Sequence, residues 1–104
     1  MSRNGHTIRG PHGSIRIEGD ALSALVVTAA ELVVGARVRR PRRGLDVSVA
    51  EGTAKVEVEL ELAVRYGTVL PSVAREVQVH VAAALLRSAG LAAQVDVSIE
   101  ELDL

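Results

Sequence analysis

Alternation of apolar and polar residues is the clearest pattern in the sequence, and it is sustained longest between Ala54 and Tyr66. Every second position there is apolar, whereas lysine, glutamate and arginine occupy the intervening positions, with Ala63 as the single exception. A period of two over a dozen residues predicts a strand in a sheet with one buried face and one face in water. Shorter alternating segments predict three further strands, at 14–17, 45–49 and 93–100.

Two other segments carry apolar residues at helical spacing. The first helix is predicted over residues 21–34, and Gly35 follows it where a left-handed residue commonly ends a helix. The second helix is predicted over residues 71–88. It begins at Pro71, a residue suited to the first helical turn because it has no amide hydrogen, and Gly90 ends it.

The order of these elements is strand, helix, strand, strand, helix, strand. This order predicts an α+β fold, a two-layer sandwich in which two helices cover one face of an antiparallel sheet. The βαββαβ topology is either ferredoxin-like or a rearranged variant of the same elements. We expect one domain over residues 13–104, preceded by a flexible N-terminal arm at 1–12 that is polar and rich in glycine.

Composition removes several classes of function. The chain of 104 residues has no cysteine, phenylalanine or tryptophan, and Tyr66 is its only aromatic residue. Thiolate metal sites, cysteine nucleophiles and base-stacking platforms are therefore excluded. Phosphate-binding and nucleophile-elbow motifs are also missing from the sequence. We therefore expect no enzyme activity, no cofactor and no metal. No signal peptide is evident, which predicts a cytoplasmic protein.

Charge is spread unevenly along the chain although its net value is only −1. A basic loop follows the first helix and contains Arg37, Arg39, Arg40, Arg42 and Arg43. The loop is either a solvated connection or a contact with anionic lipid, with nucleic acid or with an acidic protein face. The polar side of the long strand offers such a face through Glu57, Glu59 and Glu61, with Asp46 or Asp96 beside them. The two surfaces suggest a head-to-tail contact between copies.

The connection after the long strand has two readings. Gly67 and Pro71 are ordinary residues for a strand end and a helix start. Alternatively, Tyr66 marks a partner-facing edge, with its ring packed inward and its hydroxyl in water.

Residues 66–78 read YGTVLPSVAREVQ. This segment resembles the alkaline shock protein family, the Gls-type envelope stress response proteins of Gram-positive bacteria. In that family a long alternating strand runs into Tyr-Gly, an apolar residue, a proline and a helix that begins with a Val-Ala pair and carries a glutamine. The strand at 13–17, the first helix and the segment from Ser88 to Ile99 are similar to the family as well. The chain departs from it at Ala89, where threonine is usual, and in the more basic loop.

The resemblance implies a non-enzymatic scaffold or adaptor in the envelope stress response or envelope homeostasis. It implies a homo-oligomer or higher assembly, a small membrane-anchoring partner, and indirect or electrostatic association with the inner face of the cell membrane. It offers no catalytic residues. The alternative, from a different class, is a nucleic-acid-binding module that uses the loop from Arg37 to Arg43, although nucleic acid is the less favoured partner.

Overall fold

The computed structural model of the chain describes residues 5–39, 45–49 and 52–104, and these residues form two helices and six strands. The predicted α+β class and its two-layer arrangement are confirmed. In chain order the elements are β1 (His6–Gly10), β2 (Gly13–Ile17), α1 (Gly19–Glu31), β3 (Ala36–Val38), β4 (Leu45–Val49), β5 (Lys55–Arg65), α2 (Leu70–Ala89) and β6 (Ala92–Asp103).

Strand β5 lies at the centre of the main sheet. Along one edge it pairs with β6 in parallel, from Lys55 opposite Ala92 to Arg65 opposite Asp103. Along the other edge it pairs antiparallel with β4 over residues 56–60 and with β3 over residues 62–64. The sheet is therefore mixed, and the prediction of an antiparallel sheet was wrong for its β6 edge. Because β6 is a direct neighbour of β5, α2 makes a parallel crossover, and the rearranged variant describes the topology.

The first two strands form a hairpin that is separate from the main sheet. Strand β1 pairs antiparallel with β2, with Ile8 opposite Ile15. Residues 6–10 were predicted to be part of a flexible arm and instead form a strand, because Gly13 (φ +125°) allows a tight return and Arg16 Nη1 donates to Thr7 Oγ1 at 3.2 Å. The predicted strand at 14–17 exists, but it pairs in this hairpin. In the main sheet, β3 and β4 occupy the edge of β5 opposite β6, so the strand at 14–17 is not part of that sheet.

One face of the main sheet, here called the inner face, forms the core with the two helices. The predicted alternation in β5 is confirmed, since Val56, Val58, Leu60, Leu62 and Val64 are all buried there. Helix α2 adds the stripe of Val73, Val77, Val81 and Leu85, and α1 adds Leu22, Val26, Ala29 and Ala30. No polar or charged residue among those described is buried. Burial of these aliphatic side chains is the main favourable term in folding.

The ends of the helices follow the glycine pattern. Gly90 (φ +70°) ends α2; its N–H donates to the Leu86 carbonyl and the Leu91 N–H donates to the Leu85 carbonyl, both at 3.1 Å. Helix α1 ends at Glu31, earlier than predicted. Gly35 (φ +88°) then turns the chain into β3, a strand that the sequence pattern did not predict. Neither described helix has the combination of length and apolar character needed to cross a membrane.

Candidate partner-binding surfaces

The outer face of the main sheet, opposite the helices, carries the predicted acidic residues. Glu57 and Glu59 are exposed and Glu61 is half-buried. Both Asp46 and Asp96 lie beside them, because Glu59 pairs with Asp46 of β4 on one side and with Asp96 of β6 on the other. Three carboxylates thus form one row across the sheet, which we call the acidic row.

The acidic row is electrostatically unfavourable for the isolated chain. Side chains directly opposite each other in neighbouring strands lie about 5 Å apart at Cβ, and like charges at that spacing destabilise the pair. An open depression of about 220 Å³ lies along the row and is also lined by Ser98. In the described part of the chain, no group of His, Cys, Asp and Glu side chains is arranged to hold a metal ion. The three neighbouring carboxylates make the row a surface of concentrated negative charge.

Two of the predicted basic residues lie on the same outer face, beyond the acidic row. Arg37 Nη2 is 3.0 Å from Asp103 Oδ1 and 3.8 Å from Glu101 Oε1. Arg39 Nη1 is 2.8 Å from Glu61 Oε1, and its Nε is 3.4 Å from Glu101 Oε1. These five residues form an ion-pair cluster within one chain. Arg37 and Arg39 therefore contact carboxylates of their own molecule, whereas Arg40, Arg42 and Arg43 lie outside the described residues.

A β-bulge in β6 creates the acidic half of the ion-pair cluster. Ile99 pairs with Leu62, Glu100 is the extra residue, and Glu101 pairs with Ala63. The bulge reverses the alternation, so that Glu101 and Asp103 share the outer face with Arg37. The sequence carried a signal for it, because Ile99 and Leu102 are three positions apart where an unbroken strand would need an even spacing.

The position of Ala63 explains why an alanine interrupts the polar pattern of β5. It lies on the outer face between Arg37 of β3 and Glu101 of β6, yet it is completely buried. Since the Arg37 and Glu101 side chains approach each other from opposite sides, they close over the position between them. A small residue is needed there because the ion pairs occupy the space above it.

Hydrogen bonding shifts the ionisation of the pair at the end of the cluster. The side-chain hydrogen bonds from Arg37 lower the pKa of Asp103; desolvation opposes this shift and the Arg37 charge adds to it. The same hydrogen bonds raise the pKa of Arg37. Both groups are therefore held in their charged forms.

Tyr66 lies at the end of the sheet next to the ion-pair cluster. The residue is 66% exposed, so the ring is not packed inward as the partner-facing interpretation expected, because β5 ends at Arg65 and Tyr66 begins a turn. Its N–H donates to the Asp103 carbonyl at 2.8 Å. Val34, Val69 and Leu104 are exposed in the neighbouring segments, so this end of the molecule presents apolar side chains. The partner-binding role of Tyr66 stays a prediction.

Helix side chains form hydrogen bonds with backbone groups at both edges of the main sheet. The Val38 N–H donates to Glu31 Oε2 at 3.0 Å on the β3 edge. On the β6 edge, Gln78 Nε2 donates to the Val95 carbonyl at 2.9 Å. In the sequence, Gln78 is distinguished only by the family resemblance of residues 66–78. In the structure this glutamine occupies one backbone acceptor at the β6 edge. An unpaired strand edge invites pairing with another chain, and Gln78 limits that pairing.

These features define an α+β domain with one face covered by helices and several open charged or apolar surfaces. The sequence profile of the alkaline shock protein 23 family, described as having a cell envelope-related function, matches residues 31–104. The chain therefore belongs to this family, which confirms the resemblance inferred from residues 66–78. No curated protein and no solved structure matches the chain.

Proposed function

We propose that the chain is a non-enzymatic scaffold of the cell envelope that binds protein partners through the outer face of its sheet. The family supplies the setting, a cell envelope-related function. One observation carries the proposal: the helices cover the inner face, and in residues 5–39, 45–49 and 52–104 nothing covers the acidic row on the outer face.

The charges of the acidic row support a basic partner surface. No described lysine or arginine forms an ion pair with Asp46, Glu59 or Asp96. A cationic partner would relieve the repulsion between the three carboxylates, and complementary charge would also speed the encounter. The chain would reach the membrane through a small anchoring partner or by electrostatic attraction, as the family resemblance implies.

The nucleic-acid alternative receives no specific support from the described contacts. Arg37 and Arg39 are bound to carboxylates of the same chain, so phosphate would have to compete with Glu61, Glu101 and Asp103 for them. The fractionation experiment below nevertheless distinguishes nucleic-acid binding from binding to protein.

Cell fractionation with matched charge variants tests the scaffold function. Glu59→Lys reverses the centre of the acidic row, and Glu76→Lys makes the same charge change on the exposed side of α2. In the native host we expect the wild-type chain and Glu76→Lys to sediment with the envelope and to be released by salt. Glu59→Lys is expected to shift to the soluble fraction.

Two results would count against this function. Release of the wild-type chain by nuclease instead of by salt would favour nucleic-acid binding. Equal envelope association of the Glu59→Lys and Glu76→Lys variants would show that the outer face is not the contact surface.

A further inference from the structure

We propose that the hairpin of β1 and β2 in one copy of the chain adds to the open edge of β6 in a second copy. This inference rests on the proposed scaffold function and deepens it, because it names the second copy as a partner and identifies the two segments that meet. Addition of a strand to an exposed sheet edge is a common mode of recognition, in which backbone hydrogen bonds supply affinity and side chains supply specificity.

Within the described part of the chain, Ile17 at the base of the hairpin packs against the core, but the rest of the hairpin does not. Ile8 and Ile15 face each other across the two strands, are 39% and 61% exposed, and do not belong to the hydrophobic core. An open cleft of about 1070 Å³ lies between the hairpin and the segments around Gly52 and Gly90. An isolated two-stranded hairpin is only marginally stable in water, so this one gains by packing against another surface.

No described strand pairs with the outer edge of β6, which is available along most of its length. The Ala92 N–H donates to the Ala54 carbonyl, so residues 92, 94, 96 and 98 direct their backbone groups towards β5. The alternate residues of the strand direct theirs to the open edge, and these are Ala93, Val95, Val97 and Ile99. Eight residues precede the bulge at Glu100, and each hairpin strand has five. The hairpin therefore fits within the straight part of the edge.

Gln78 protects one position of this edge by binding the Val95 carbonyl. An incoming strand would replace the Gln78 amide with a backbone N–H. The hydrogen bond to Val95 would be exchanged and not lost, but the exchange adds a barrier to the contact.

The side chains of the two segments match on both faces. One face of the hairpin carries His6, Ile8, Ile15 and Ile17, and the other carries Thr7, Arg9, Ser14 and Arg16. The inner side of β6 is apolar, with Val97 and Ile99 only half-buried, and its outer side carries Asp96. An added hairpin would extend the sheet so that Ile8 and Ile15 lie beside Val97 and Ile99 while Arg9 lies beside Asp96.

Charge complementarity selects this pairing over others. The hairpin strands carry Arg9 and Arg16, of which Arg16 is paired with Glu18 at 3.2 Å between Nε and Oε2. Strand β6 contains four acidic residues and no basic one, and Glu101 and Asp103 among them belong to the ion-pair cluster. Arg9 and Asp96 form no ion pair within the described part of the chain. As far as residues 5–39, 45–49 and 52–104 are concerned, both charges are available to an intermolecular partner.

A charge-swap experiment tests the contact by sedimentation velocity over a range of protein concentrations. In Arg9→Glu the new carboxylate meets Asp96 of the next copy, and in Asp96→Arg the new arginine meets Arg9. We expect each variant to self-associate about tenfold more weakly than the wild-type chain. An equimolar mixture of the two variants is expected to associate like the wild type, because each contact then joins opposite charges. Arg87→Glu on α2 is the matched control and is expected to leave association unchanged.

The edge itself is tested by Gln78→Ala, with the thermal unfolding of every variant measured in parallel. We expect Gln78→Ala to associate more tightly, since no side chain then has to leave the Val95 carbonyl.

The outcomes separate this inference from the scaffold function. Self-association that neither swap weakens, that the mixture does not restore or that Gln78→Ala does not strengthen would overturn the hairpin contact and leave the scaffold function standing. A wild-type chain that remains monomeric at every concentration would also overturn the hairpin contact. The scaffold function fails separately, if Glu59→Lys and Glu76→Lys associate equally with the envelope.

Discussion

Arg37 donates two hydrogen bonds to Asp103 across 66 positions of sequence, from Nε to Oδ2 at 3.2 Å and from Nη2 to Oδ1 at 3.0 Å. Arg37 lies on β3 and Asp103 ends β6, so the pair joins the two edges of the sheet across the central strand. A two-bond arginine–carboxylate contact fixes direction as well as distance. It therefore holds the last residues of β6 in register after the bulge.

Neutralising Asp103 is expected to lower the free energy of unfolding near neutral pH but not in acid. The pKa of Asp103 in the folded chain is lowered from its ordinary value of 3.8. Its contribution is therefore fully present above that value and is lost as the pH falls through the lowered folded pKa. Urea unfolding as a function of pH should show Asp103→Asn less stable than the wild type near neutral pH, with the two curves converging in acid. The control Glu57→Gln, whose carboxylate has no described ion pair, should show no such convergence.

Enlargement of Ala63 is expected to destabilise the fold. Its side chain is completely buried between Arg37 and Glu101, so leucine has no space without separating the ion pairs. Overpacking of this kind costs about 1–3 kcal/mol of unfolding free energy. Chemical denaturation should show the loss for Ala63→Leu. The exposed strand residue Ala92 provides the control, since Ala92→Leu should change little; equal losses at both positions would mean that strand propensity, not crowding, is responsible.

Reversal of Glu59 is expected to stabilise the isolated chain. Lysine at the centre of the acidic row would face Asp46 and Asp96 and replace two repulsive neighbours with two attractive ones. Opposite-charge cross-strand pairs contribute roughly 0.2–1 kcal/mol each. Thermal unfolding of Glu59→Lys at low salt should show a higher midpoint, and the gain should shrink in high salt. A lower midpoint would mean that the carboxylates of the row are better separated than their register indicates.

Substitution of Gly90 is expected to weaken the end of α2. Gly90 has φ +70°, a conformation that a Cβ disfavours, although the space around it is open. Gly90→Ala should therefore cost about 1 kcal/mol through the backbone alone. Gly90→Asn, which tolerates this conformation better, should be less destabilising when the two variants are compared by urea denaturation. Equal effects would mean that the left-handed backbone conformation is not the cause of the loss.

The strands and helices of the core were predictable because their signals are local. The alternation in β5 placed five buried side chains on one face, and Gly35 and Gly90 marked where the helices give way to other structure. The family resemblance at residues 66–78 was equally local and is confirmed by the profile match. Three features escaped prediction: the strand β3, the hairpin strand β1, and the parallel pairing of β5 with β6. Each depends on a partner segment that the local pattern does not name.

The sequence by itself determined which side chains avoid water and where regular elements begin and end, because periodicity and turn residues act within a few positions. Only the tertiary structure decided which strands became neighbours. That choice placed Asp46, Glu59 and Asp96 in one row and paired Arg37 with Asp103, because cross-strand contacts depend on register and bulges set by distant segments. The surfaces that a partner would contact are therefore determined by the tertiary structure.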